Sequence, residues 1–149
     1  MRAGVPVELE FPPVEVFSLP SLGVVGPGLA YEPLPEVELD GFSLQVDLWA
    51  GGGVPKELPV ASEVDVPRWR DALRAAWGLL ARDHPDLAAE FAEVVTVVTP
   101  MPPSPSGTSS ATLADAFGCV FLSPTPDAET LAVTLVHEAQ HSKLVAVMD

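Results

Sequence analysis

Cysteine is nearly absent from this chain: Cys119 is the only one in 149 residues. No intrachain disulfide can form, which fits a reducing compartment, and Cys119 reads as a small buried hydrophobe rather than a catalytic thiol. Basic residues are scarce too, 7 against 21 acidic ones, for a net charge of −14. Binding to a phosphate backbone needs clustered Lys and Arg, so nucleic acid is excluded as a partner class. The acidity suits attraction of a basic peptide, although solubility and a solvated surface explain it more simply. No uninterrupted apolar run approaches the ~20 residues of a membrane span. The N-terminus, Met1 to Glu8, lacks the cationic start and apolar block of a secretory signal. The expectation is a cytoplasmic protein that neither crosses nor binds a membrane.

What is present is enough for one domain with a single core. Hydrophobic residues make up 48% of the chain, which argues against disorder despite 17 prolines. Residues 1–60 hold 9 of those prolines and 8 of the 11 glycines. They read as a Pro/Gly-rich segment with short strands, part of the same domain as a helix-strand-strand-helix core over 61–149. Alternation marks strands at Val14–Phe17 and, more clearly, from Phe42 to Trp49, with Phe42, Leu44, Val46 and Leu48 on one face. Residues 23–35 read as turns. Gly51-Gly52-Gly53 is a flexible loop rather than a phosphate cradle, because no Lys-Ser/Thr follows.

A helix begins near Val66, with Asp65 as its cap and Pro67 in its first turn. Trp69, Leu73, Trp77 and Leu80 recur at helical spacing, which makes the two tryptophans core anchors rather than a ligand-stacking pair. Asp83-His84-Pro85 ends it, and a second short helix covers Pro85 to Glu93. The β-branched run Val94–Thr99 predicts a buried strand. Residues 100–110, rich in Pro and Ser, cannot hold a helix or central strand; they form either a solvated loop or a mobile wall of a site. Residues 112–117 are ambiguous, and Gly118–Ser123 predicts a further strand. A last helix, capped by Thr125 or Asp127, then runs towards the C-terminus.

That last helix carries the chemistry. His137-Glu138-Ala139-Gln140-His141 places two imidazoles four residues apart, one turn apart in height and on nearly one azimuth. Such a pair can grip one metal ion, with a glutamate between them at a neighbouring angle. Leu131, Leu135, Val136, Leu144, Val145 and Val147 make the helix apolar round most of its circumference, so it is expected to be interior. Interior histidines need partners for their ring nitrogens, and a metal or backbone carbonyls would serve. Two ligands do not finish a site: catalytic zinc takes three plus water, and non-haem iron commonly takes two histidines and a carboxylate. Downstream only Asp149 is a carboxylate, about 12 Å further along a continued helix. Upstream candidates are Asp115, His84 and Glu129. Lys143 is solvated or paired with an acidic side chain rather than an anchor for a cosubstrate.

The stretch Asp115-Ala116-Phe117-Gly118-Cys119-Val120-Phe121-Leu122-Ser123, followed by Glu129 to Leu144 with Thr134-Leu135-Val136-His137-Glu138 and His141-Ser142-Lys143-Leu144, resembles an actinobacterial family. Its members are His-Glu-x-x-His-motif peptide-modification proteins, including the C-terminal region of FxsB-type maturases. The resemblance covers about residues 94–148. It implies maturation of a ribosomally made peptide (a RiPP) by a 2-oxoglutarate-dependent, non-haem iron enzyme that hydroxylates a peptide β-carbon. It carries His137 and His141 over as metal ligands and Glu138 as the motif acid. It also implies association with another maturation protein. Family members continue beyond the motif helix, whereas this chain ends eight residues after His141, as a truncated copy would.

The reading is therefore an α+β fold, a small sheet packed against helices in a zincin-like order of strand then motif helix. The function expected is peptide β-hydroxylation with Fe(II) and 2-oxoglutarate. A zinc metallopeptidase is the first alternative, with Glu138 as general base and the strand at 118–123 holding substrate by edge pairing. A truncated, non-catalytic peptide- or partner-binding protein is the second.

Overall fold

The computed structural model describes residues 33–48, 58–125 and 127–148. Through them the chain runs β1 (Glu36–Leu39), β2 (Phe42–Val46), α1 (Val66–Asp83), α2 (Pro85–Val94), β3 (Val97–Pro100), β4 (Ser110–Thr112), β5 (Cys119–Leu122) and α3 (Ala128–Met148). The strands form one mixed sheet in the order β1-β2-β3-β5-β4, and with three helices the class is α+β. No helix among the described residues is long and apolar enough to cross a membrane.

The sheet begins as a hairpin. Leu39 pairs with Phe42 across the two-residue turn Asp40-Gly41, where Gly41 takes a φ of +95°; a side chain at that φ would be strained. Alternation then sorts β2 as the sequence indicates: Leu44 and Val46 are buried, and Phe42 packs at the core margin. Leu48 departs from this, lying past the strand and 43% exposed. β2, β3 and β5 run parallel, and β4 turns back antiparallel to β5 at the edge. Parallel neighbours need a long crossover, and between β2 and β3 residues 47–96 supply one that includes α1 and α2.

The helices cover the sheet face made by Val37, Leu39, Leu44, Val46, Val98, Val120 and Leu122. α1 starts where the capping residues place it: the Asp65 side chain accepts from the Arg68 N–H at 3.1 Å. It buries Trp69, Leu73, Ala76, Trp77 and Leu80, an i, i+4, i+7, i+8, i+11 stripe in which each large side chain contributes roughly 1.5–3 kcal/mol of transfer free energy. Trp77 lies 4.6 Å from Phe42 and 6.1 Å from Phe91, centroid to centroid, so one aromatic cluster joins β2, α1 and α2. Both tryptophans are core residues.

Three expectations are corrected. The run Val94–Thr99 is not a strand throughout, because Val94 completes α2 and the Val95 N–H caps it by donating to the Phe91 carbonyl. Burial of Val95 against the helix layer claims the start of the run, and the strand opens only at Val97. The segment at 118–123 is not a free edge: β5 lies between β3 and β4, and the edge is the three-residue strand β4. α3 is not interior round most of its circumference, since Val133, Leu144 and Val147 are exposed at 70%, 56% and 84%. The strand expected at Val14–Phe17 and the loop at Gly51–Gly53 lie outside the described residues.

Gly118 sits where β3 and β5 meet. Its φ is +82°, its carbonyl accepts from the Thr96 and Val97 N–H groups at 2.9 and 3.0 Å, and a Cβ there would stand 3.2 Å from Thr96 Oγ1 and from the Val94 carbonyl. Gly118→Ala is expected to cost about 1–3 kcal/mol, read as a lower urea midpoint with an unchanged slope.

Candidate metal centre

α3 is started by Asp127. One carboxylate oxygen accepts the Thr130 N–H at 2.7 Å, and the other accepts the Thr130 hydroxyl at 2.8 Å. These bonds hold the Asp127 carboxyl below its ordinary value. Of the two capping candidates, Asp127 makes the capping bond to the helix. From that start the helix buries Leu131, Ala132, Leu135, Glu138, Ala139 and Ser142. At 100° per residue the opposite side is set as well. His137 and His141 fall on it, exposed, together with Val133 and Leu144.

The two histidine rings meet at their tips. His137 Nε2 and His141 Nε2 are 2.9 Å apart, and the rings lie nearly perpendicular with centroids 4.4 Å apart. In neutral rings one nitrogen must donate and the other accept. The same convergence is near that of a shared cation, because two imidazoles bonded to one ion at about 2.1 Å place their nitrogens roughly 3.0–3.4 Å apart, from octahedral to tetrahedral angles. The donor set therefore fits a metal with two ligands. The sequence reading that burial would oblige these rings to find partners is corrected: they are exposed, and water can satisfy them.

Glu138 lies on the buried side of the same helix, 3% exposed. β4 faces it with alternate residues, since side chains i and i+2 of a strand share a face. Ser110 donates its hydroxyl to Glu138 Oε1 at 2.6 Å, and Thr112 donates to Oε2. Both carboxylate oxygens thus receive a hydroxyl proton from the edge strand. The motif separates its parts: the imidazoles face outward, and the acid locks the helix to the sheet. Ser142, one turn after Glu138 on that buried side, has a hydroxyl with no hydrogen-bond partner among the described residues.

β4 is in turn fixed from behind. The Ser109 N–H donates to Ser123 Oγ and the Ser123 N–H to the Ser109 carbonyl, each at 2.8 Å, while the Met101 N–H donates to the Leu122 carbonyl at 2.7 Å. The Pro/Ser-rich segment therefore has both ends tied to the end of β5. Ser110 and Thr112 escaped the sequence reading because hydroxyl residues after a proline-rich stretch look like more loop. Their period-two spacing was the one available signal.

The upstream ligand candidates do not join the histidines. Glu129 and His84 line a cleft at the start of α3, and Glu129 is two turns before His137. Asp115 is exposed in the turn that precedes β5. Among the described residues no group of three or more His, Cys, Asp or Glu side chains converges as a cation site; Asp149 lies outside them. Lys143 pairs with Glu90 of α2 at 2.7 Å and holds that carboxyl below its usual range. Cys119 is half-buried against Thr99 Oγ1 at 3.2 Å, and burial pushes its thiol up, away from a reactive thiolate.

Comparison of the chain with protein-family models, with curated proteins and with solved structures found no match.

Two outcomes are expected. Asp127→Ala should lower the melting temperature most near neutral pH. The ionised cap stabilises above the ordinary carboxyl value of 3.8, and that contribution is lost as pH falls through the lower folded-state value. The gap between wild type and variant should therefore narrow in acid, as melting curves across pH will show. Ser110→Ala and Thr112→Val each remove a donor from a buried carboxylate and should cost about 1–3 kcal/mol. Adding Glu138→Gln should make the losses strongly non-additive in a urea double-mutant cycle.

Proposed function

We propose that this protein is a metal-dependent enzyme that modifies a peptide, with His137 and His141 as ligands to Fe(II) and 2-oxoglutarate as cosubstrate. The observation that carries the metal reading is the pair of exposed Nε2 atoms 2.9 Å apart on one helix. The resemblance of residues 94–148 to His-Glu-x-x-His peptide-modification proteins supports the reaction class. Iron and 2-oxoglutarate would supply oxidation of a substrate C–H bond, in this case at a β-carbon. Any further ligand and the cosubstrate anchor come from outside the set of described side chains.

The protein's own residues position this chemistry. A zincin-like reading of the fold is supported by the motif helix lying beside an antiparallel edge strand. The edge of β4, unpaired among the described residues, suits strand addition by an extended peptide, which would lay substrate backbone alongside α3. Ser110 and Thr112 hold Glu138, and Glu138 fixes the rotation of α3 that turns both imidazoles outward. In this role Glu138 is a positioning residue. A zinc peptidase would instead need Glu138 to take a proton from water, and its two oxygens already accept hydroxyl protons on the buried side.

Purified protein should bind one equivalent of iron, and His137→Ala or His141→Ala should abolish binding. With Fe(II), 2-oxoglutarate and the peptide encoded beside it, the product should gain the mass of one oxygen atom. Turnover that does not depend on 2-oxoglutarate would end this reading. Zinc-dependent cleavage lost in Glu138→Gln would establish the peptidase, and no metal above background would leave a binding protein.

A further inference from the structure

On the helix that carries the histidine pair, the first half of α3 forms one wall of an open cleft of about 360 Å³, a volume in the range of small-ligand sites. Its lining is largely apolar: Leu80 from α1, Leu87 from α2, and Ala132, Val133 and Val136 from α3. Charge appears only among the rim residues Arg82, Asp83, Glu129 and His84. Two of these cancel, because Arg82 Nε and Nη2 donate to the two Asp83 oxygens at 2.6 and 2.7 Å. Glu129 is exposed in the first turn of α3 and makes no side-chain hydrogen bond or ion pair among the described residues.

Glu129 is thus the rim carboxylate without a side-chain partner among the described residues, beside an aliphatic lining and on a chain of net charge −14. We propose that this cleft binds an aliphatic stem with a cationic head, the chemistry of a Lys or Arg side chain in a peptide. The stem lies along Leu80, Leu87 and Val136, and the head meets the Glu129 carboxylate. Val133 lines the cleft and shares the exposed side of α3 with His137. A basic residue docked here would place the neighbouring peptide backbone beside the histidines. That placement rests on the peptide-modifying role; the selectivity of the cleft does not.

The test uses metal-free full-length protein and three probes of equal length: hexylammonium, 1-hexanol and hexanoate. Methyl NMR signals of Leu87 and Val136 should shift saturably with hexylammonium, about threefold to fivefold more tightly than with hexanol, as an exposed charge pair allows. Hexanoate should be weakest. Glu129→Gln should bring hexylammonium down to the hexanol affinity, and Glu129→Lys should invert the order in favour of hexanoate. Glu93→Gln, at the far end of α2, should change nothing. Equal binding of hexylammonium and hexanoate, or indifference to Glu129→Gln, would overturn the proposal. If no metal binds but hexylammonium still titrates selectively, the enzyme reading fails and the cleft stands; the converse removes only the cleft.

Discussion

A single buried carboxylate ties the motif helix to the edge strand of the sheet. Glu138 accepts the Ser110 and Thr112 hydroxyls, so the last helix and the last strand to join the sheet edge are coupled through three side chains. A carboxylate taken out of water without donors is strongly unfavourable. The rotation of α3 and the registry of β4 are therefore not independent: turning the helix by even one residue's angle would strand the acid. Hydrophobic contacts alone would specify the helix face less sharply, because Leu131, Leu135 and Ala139 tolerate sliding better than a hydrogen-bonded charge does.

That constraint explains why one five-residue motif points two ways. Residues 137 and 138 are adjacent, yet 100° of helical rotation puts one in solvent and the other at 3% exposure. The histidines owe their outward direction to what happens on the opposite side. The Lys143–Glu90 pair and the Gln140–Glu90 hydrogen bond then hold a third side of α3 against α2. With sheet, α1 and α2 each engaged, the strip through Val133, His137, His141 and Leu144 is left exposed among the described residues.

Much of the framework could be read in the residues themselves. Asp65 and Pro67 announce α1, Asp83-His84-Pro85 separates α1 from α2, and Asp127 starts α3, because caps and prolines act over a few residues of local geometry. Long-range competition was less legible. Val94 and Val95 have strand-forming side chains but are claimed by α2, and the apolar residues at the end of α3 suggest burial that no element among the described residues supplies. The paired histidines follow from i, i+4 spacing, whereas the partners of Glu138 depend on a strand of three residues after a proline-rich segment. Nothing in local propensity picks Ser110 and Thr112 out from Ser104, Ser106 and Thr108.

The clamp behind β4 has a consequence for how this segment can vary. Both ends of the 101–109 stretch are hydrogen-bonded to Leu122 and Ser123, so the chain between them is a closed excursion from a fixed point. Lengthening a flexible loop whose ends are already joined adds only logarithmic entropy, about 0.6 kcal/mol for each doubling. Length between Pro102 and Thr108 can therefore change at little entropic cost; composition is held at Ser104, whose hydroxyl accepts from the Ser109 hydroxyl at 2.9 Å. Extra residues in the stretch would change what borders the edge strand while the carboxylate lock stays where it is.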